Sequence, residues 1–227
     1  MPIFKLENLT YGYIDGGKKR TILNDLSYEF EEGKLYAILG PSGSGKTTLL
    51  ALAGALDVPE KGRILYKEKN ITQIGYTKFR RNHMAIIFQK YNLTDYLSAV
   101  ENVEANIMHP NQKREKQRKQ IAYQLLDIVG IVQSKADRRV TKLSGGEQQR
   151  VAIAKALAKD VDLILGDEPT GALDTATANE VVDLFKRLAH EYGKTIILVT
   201  HSDAVAANSD ITLRLKEGKL IRETGGF

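Results

Sequence analysis

The run Gly40-Pro41-Ser42-Gly43-Ser44-Gly45-Lys46-Thr47 sets glycines, a lysine and a hydroxyl at the spacing of a phosphate cradle. Glycine lets backbone N–H groups converge on phosphate oxygens. A helix starting at the end of the run adds the positive end of its dipole. Lys46 is expected to reach the β- and γ-phosphates, and the Thr47 hydroxyl to bind Mg²⁺. Gly40, Ser42, Gly43, Ser44, Gly45 and Thr48 are the other residues expected to hold the ligand. The pattern points to a nucleoside triphosphate and leaves open what the protein does with it.

Two further groups fit the same chemistry. Asp167 and Glu168 close an apolar run. At the C-terminal end of a parallel strand they would face the nucleotide crevice. Asp167 would then hold Mg²⁺ through water, and Glu168 would polarise the attacking water as general base. Ser144-Gly145-Gly146 stands at the start of a helical pattern and offers a second anion site of N–H groups and a hydroxyl. A simple N-cap accounts for Ser144 alone.

The elements that must position these groups are legible from periodicity. Residues 35–39 (Leu-Tyr-Ala-Ile-Leu) read as a buried parallel strand, and 47–53 as the helix after the cradle. Runs at 161–165 and 195–200 read as further buried strands, with helical patterns at 145–159 and 174–192 between and around them. Strands alternating with helices imply a parallel α/β sheet. The first 30 residues alternate like antiparallel strands, with Asp15-Gly16-Gly17-Lys18-Lys19-Arg20 as the hairpin loop. From Tyr91 to Lys142 no strong strand run occurs. A stripe of Ile121, Leu125 and Ile128 within 112–130 marks a helix with a charged opposite face, in a lobe inserted into the core. Residues 211–223 read as a hairpin turning at Glu217-Gly218-Lys219.

Composition sets limits. The chain has 227 residues, long enough for a core without disulfides. The absence of cysteine excludes a thiol nucleophile, a disulfide framework and any Cys-ligated metal. Histidines 83, 109 and 190 form no ligand cluster with His201 and are expected at the surface. The N-terminus lacks a signal-peptide pattern, and the apolar stretch 47–56 is far short of the roughly 20 residues of a membrane span. The chain is therefore expected in the cytoplasm, with any spans supplied by another chain. A net charge of +5 fits a lysine-rich surface better than a nucleic-acid binder.

The run Leu143-Ser144-Gly145-Gly146-Glu147-Gln148-Gln149-Arg150 resembles the signature motif of ABC (ATP-binding cassette) ATPases. The other motifs agree in order: the P-loop at 40–47, Gln89 after Ile86-Ile87-Phe88, the acidic pair at 167–168, and His201 after the strand at 195–200. The resemblance implies a P-loop (RecA-like) α/β core with an N-terminal antiparallel β subdomain and an inserted helical subdomain. As one ABC domain, residues 1–89 and 156–227 would form the core, and about 90–155 the lobe with the signature. It implies ATP and Mg²⁺ as cofactors. Tyr13, or its rival Tyr11, would stack on adenine, and Gln89 would touch Mg²⁺ or the attacking water. Asp174, in Gly171-Ala172-Leu173-Asp174, would cross a dimer interface, and His201 would contact the γ-phosphate. Two chains would pack head to tail on ATP, with Ser144, Gly145 and Gly146 of one closing the P-loop site of the other.

Within the family, the strings 40–50, 86–93, 101–103 and 167–174 look like the branch of MacB and LolD. That branch implies an integral membrane permease with a large extracytoplasmic domain as partner, a place on the cytoplasmic face of the membrane, and export of peptides or antibiotics. The alternative is an FtsE-like cell-division or lipoprotein-release ATPase. A soluble nucleic-acid-associated ATPase comes last, and no nucleic acid is expected as partner. Thr94-Asp95 departs from the family pattern near the groove expected to receive the permease, and Gly166 and Lys155 replace the commoner Ala and Arg. The charged run 113–119 reads as the solvated face of a helix.

Overall fold

A computed structural model describes residues 1–107 and 115–223. Two long strands, β1 (Pro2–Asp15) and β2 (Lys18–Glu31), form an antiparallel hairpin. Its turn is only Gly16-Gly17, both at positive φ (55° and 77°). Lys18, Lys19 and Arg20, expected in the loop, belong to β2. Two glycines that both accept left-handed φ make the tight turn whose twist matches the strands, so a six-residue loop is not needed.

Next come β3 (Leu35–Leu39), α1 (Lys46–Ala53), β4 (Lys61–Tyr66), β5 (Lys69–Asn70), α2 (Ile71–Ile74), α3 (Tyr76–Asn82) and β6 (Met84–Ile87). The helical region holds α4 (Ala99–Glu104), α5 (Glu115–Ile128), α6 (Gln133–Ala136) and α7 (Gly145–Leu157). The chain returns through β7 (Leu163–Asp167), α8 (Thr175–His190), β8 (Thr195–Val199), α9 (Asp203–Ala207), β9 (Ile211–Lys216) and β10 (Lys219–Arg222).

Two sheets result. The antiparallel one has the order β2-β1-β4-β5. The other has the order β10-β9-β3-β8-β7-β6, parallel throughout except for the β9-β10 hairpin. β3 and β8 are buried at every residue, as strands covered on both faces must be. One apolar cluster, with Phe4, Phe30, Tyr36 and Phe79, fills the space between the two sheets and α1. The other joins the opposite face of the parallel sheet to α4, α5, α7 and α8. β3, β7 and β8 thus end on one edge, the edge that carries the cradle, the acidic pair and His201.

Three expectations shift in detail. The strand predicted at 161–165 is Leu163–Asp167: Asp162 precedes it, its side chain held by Lys67 at 2.7 Å, and Gly166 and Asp167 pair with β8. The fully buried residues of α5 are Ala122 and Leu126, continued by Val129 just past its end, with Ile121, Leu125 and Ile128 packed at its flank. His83 is half-buried, its ring 5.2 Å from that of Tyr66, and burial lowers its pKa. His190 is exposed, as expected, with Nε2 2.9 Å from Asp210. His109 lies outside the described residues, as do Lys113 and Arg114 of the charged run. Among the described residues no helix is long and apolar enough to cross a membrane.

Candidate active site

A cleft of about 490 Å³ opens at the C-terminal edge of the parallel sheet. Its floor is the turn between β3 and α1. Gly43 (φ +77°) and Gly45 (φ +101°) take left-handed conformations that L side chains rarely adopt. A Cβ at Gly45 would stand 2.5 Å from Ile22 Cγ2, so the turn lies directly against β2. Lys46 Nζ donates to the carbonyls of Gly40 (2.6 Å) and Pro41 (3.1 Å), bracing the loop from inside. Ser42 and Thr47 line the cleft, and Ser44 lines the adjoining cavity.

The two tyrosines separate. Tyr13 is 48% exposed and lines the cleft, its Oη 3.2 Å from the Thr48 hydroxyl. Tyr11 turns away and donates its hydroxyl to Asp57. Its ring meets that of Tyr13 edge-on, 5.2 Å between centroids.

The acidic pair lines the same cleft. Asp167 is the last residue of β7. Burial pushes its pKa up, the charge of Glu168 adds to the rise, and Lys46 opposes it. Glu168 has a φ of +47°, unusual for a residue with a Cβ. Hydrogen bonds on both sides hold it there: its N–H donates to Val199 O (2.8 Å), and Gly171 N–H donates to its carbonyl (3.0 Å). The turn brings the carboxylate to the end of β8. There Thr200 Oγ1 (3.0 Å) and the His201 N–H (3.3 Å) donate to Oε2, and His201 Nδ1 lies 2.7 Å from Oε1. A carboxylate held by three groups at the rim of a phosphate cradle is placed to take a proton from water.

Ser144, Gly145 and Gly146 lie outside the cleft lining. Ser144 caps α7 in a reciprocal box: its Oγ accepts from Glu147 N–H (3.3 Å), and Glu147 Oε2 accepts from Ser144 N–H (2.9 Å). Lys135, foremost, and the Ser144 N–H hold the Glu147 carboxyl below its usual range. Gly146 permits the close approach of α8, since a Cβ there would stand 2.2 Å from Thr177 Cγ2. Asp174 caps α8, accepting from Thr177 N–H (3.1 Å) and Thr177 Oγ1 (2.7 Å). Gln89 is exposed just past β6. Its amide nitrogen lies by Gly171, 3.1 Å from where a Cβ would stand, on the loop that follows Glu168.

Residues 23–171 match the family profile described as "ABC transporter". The chain belongs to that family. Its reaction is the hydrolysis of ATP to ADP and phosphate. This ABC cassette is 44% identical over 218 residues to the ABC transporter ATP-binding protein YclH of Bacillus subtilis, covering 96% of this chain and 95% of YclH. It is 40% identical over 224 residues to the macrolide export ATP-binding/permease protein MacB 2 of Yersinia pestis bv. Antiqua. That match covers 97% of this chain but only 33% of the MacB protein. Among solved structures, the dimeric bacterial cassette MJ0796 superposes with a TM-score of 0.87 at 36% identity, over 99% of this chain and all of that one. A second MJ0796 dimer is a post-hydrolysis state bound to ADP and Pi.

The cassette's cleft suits Mg²⁺, which takes one or two protein oxygens and completes its octahedron with water and phosphate. The Thr47 hydroxyl and the Asp167 carboxylate both line it, and a cation there would offset the burial that disfavours the Asp167 charge. Among the described residues no group of three or more His, Asp or Glu forms a metal cage. Sequence reading missed Thr200, which is fully buried and bonded to Glu168. Its signal was a hydroxyl directly before His201, at the end of an apolar run.

Proposed function

We propose that this cassette is the motor of a membrane transporter of MacB type: it dimerises on ATP and drives a separate permease. The family membership and the 40% identity to a macrolide exporter support this reading. The observation that carries it is the division of the motifs. The cradle, Tyr13, Asp167, Glu168 and His201 share one cleft, while Ser144, Gly145 and Gly146 lie outside its lining. A second copy supplying its signature helix would complete the site, and the dimeric relatives show such cassettes in pairs.

In this reading residues 1–89 and 156–227 form the core and about 90–155 the lobe that presents the signature. Tyr13 stacks on adenine, the choice over Tyr11 resting on the Thr48 contact against the Asp57 bond. Backbone N–H groups of Gly40 and 42–48 and the Lys46 ammonium hold the phosphates. Thr47, Asp167 and Gln89 hold Mg²⁺, which neutralises phosphate charge when bound. Glu168 accepts the proton of the attacking water, kept in place by Thr200 and His201, and His201 reports on the γ-phosphate. Asp174 meets the partner cassette. The cassette works on the cytoplasmic face of the membrane through its permease.

The test is to isolate the Glu168→Gln form with ATP and Mg²⁺ from detergent-solubilised native membranes and identify what accompanies it. A permease with a large extracytoplasmic domain is expected. A permease tied to wall hydrolases would move the reading to cell division. Ribosomes or DNA in place of a membrane protein would overturn it.

A further inference from the structure

Arg20 is absent from every motif discussed above, yet it lines the cleft beside Tyr13, Gly43 and Lys46. Its position is fixed by the hairpin. In the β1-β2 register Tyr13 pairs with Arg20, and directly opposed residues share a face of the sheet. The strands close tightly here: a Cβ at Gly12 would stand 2.5 Å from the Arg20 carbonyl. Arg20 also lines the adjoining cavity, of about 360 Å³, together with Gly43 and Ser44. It therefore stands between the Tyr13 end of the cleft and the glycines of the cradle. Its neighbour Lys19 is paired with Glu60. Among the described residues Arg20 forms no ion pair with a carboxylate.

The charges of the cleft are unevenly placed. Asp167, Glu168 and His201 stand at one end, and Lys46 braces the loop carbonyls below. Among the described residues that line the cleft, Arg20 is the cation on the strand position directly opposite Tyr13. If adenine stacks on Tyr13, the phosphate nearest to it is the α-phosphate. A guanidinium presents a planar fork suited to two phosphate oxygens. We infer that Arg20 is a nucleotide-binding residue that takes the α-phosphate, which makes the base end of the cleft select for a phosphorylated nucleoside. This rests on the reading of Tyr13 as the adenine contact.

The experiment measures competition by adenosine, AMP, ADP and ATP against a fluorescent ATP analogue, without Mg²⁺, for the wild type, Arg20→Met, Arg20→Lys and Tyr13→Ala. Arg20→Met is expected to weaken AMP, ADP and ATP alike, by about tenfold, the scale of one charged hydrogen bond, with adenosine unchanged. Arg20→Lys should recover part of the loss, and Tyr13→Ala should weaken adenosine as well. Unchanged affinities in Arg20→Met, a loss confined to ATP, or an equal loss for adenosine would each overturn the α-phosphate assignment. Tyr13→Ala without effect would overturn the adenine reading instead, and a wild type blind to ATP would overturn the cleft itself. Thermal melts of each variant separate lost binding from lost folding.

Discussion

The cradle and the signature are each built on the start of a helix, and they treat it in opposite ways. α1 has Gly45 as its N-cap, which has no side chain, so among the described residues no side-chain oxygen caps its first N–H groups. α7 begins at Ser144 inside a capping box, where the Ser144 hydroxyl and the Glu147 carboxylate already take two of the local N–H groups. Helix starts favour anions through unpaired donors and the dipole. α1 keeps both terms. α7 has given up donors to its own cap and adds the negative charge of Glu147, offset by Lys135. What remains are the N–H groups of Gly145 and Gly146 and the Ser144 O–H, which can donate while its oxygen accepts. The contrast fits the proposed arrangement, in which the cradle holds the nucleotide and the signature of a partner cassette closes over it.

The strongest way to sharpen that contrast is at Glu168. Glu168→Gln keeps the size of the side chain and its contact with Thr200 but cannot accept a proton. ATP hydrolysis is expected to fall by about 10²–10⁴-fold, the usual worth of a positioned base. Nucleotide affinity should stay near that of the wild type, and a dimer should accumulate with ATP on size-exclusion chromatography. Hydrolysis at the wild-type rate would remove Glu168 from its role.

The next test breaks the signature end alone. Gly146→Ala drives a methyl group into Thr177 Cγ2, and overpacking of this kind costs about 1–3 kcal/mol. Thr177→Ser deletes that methyl and keeps the hydroxyl that bonds Asp174. The double variant should therefore recover most of the stability that Gly146→Ala loses, a coupling visible in denaturant unfolding. Single-chain ATP affinity should be untouched in all three, because the cleft lies elsewhere. Simple additivity of the two changes would show that α7 and α8 do not meet as tightly as their glycine contact requires.

Much of this arrangement was legible in the sequence because it is local. Strands such as Leu35–Leu39 and Thr195–Val199 announce themselves as unbroken apolar runs, and the cradle is a contiguous string. What escaped was set by distant partners. β4 begins Lys61-Gly62-Arg63, polar on its face, and becomes a strand because β1 pairs with it. His83 reads as a surface residue until Tyr66 and Phe79 close over it. The positive φ of Glu168 follows from hydrogen bonds to Val199 and Gly171 that no local pattern encodes. Gln149 sits inside the signature string yet is fully buried, with neither amide atom bonded among the described residues.

The smallest expected effect returns to the cleft and to the carboxyl it buries at Asp167. Asp167 has its pKa raised by burial and by Glu168. The native state therefore binds an extra proton in the window from the ordinary aspartate value up to the raised one. The stability contributed by the neutral acid is fully present below that window and is lost as pH rises through it. Asp167→Asn stays neutral throughout. At neutral pH it should melt above the wild type, by about 2–4 °C for each kcal/mol gained in a chain of this size, and the gap should close on acidification. The lowered carboxyls of Asp162 and Glu147 lose their stabilisation in acid in both proteins, so they cancel in the difference. A gap that does not change with pH would mean that Lys46 already compensates the charge. With ATP and Mg²⁺ present the order should reverse, because the wild-type carboxylate gains a cation and the amide does not.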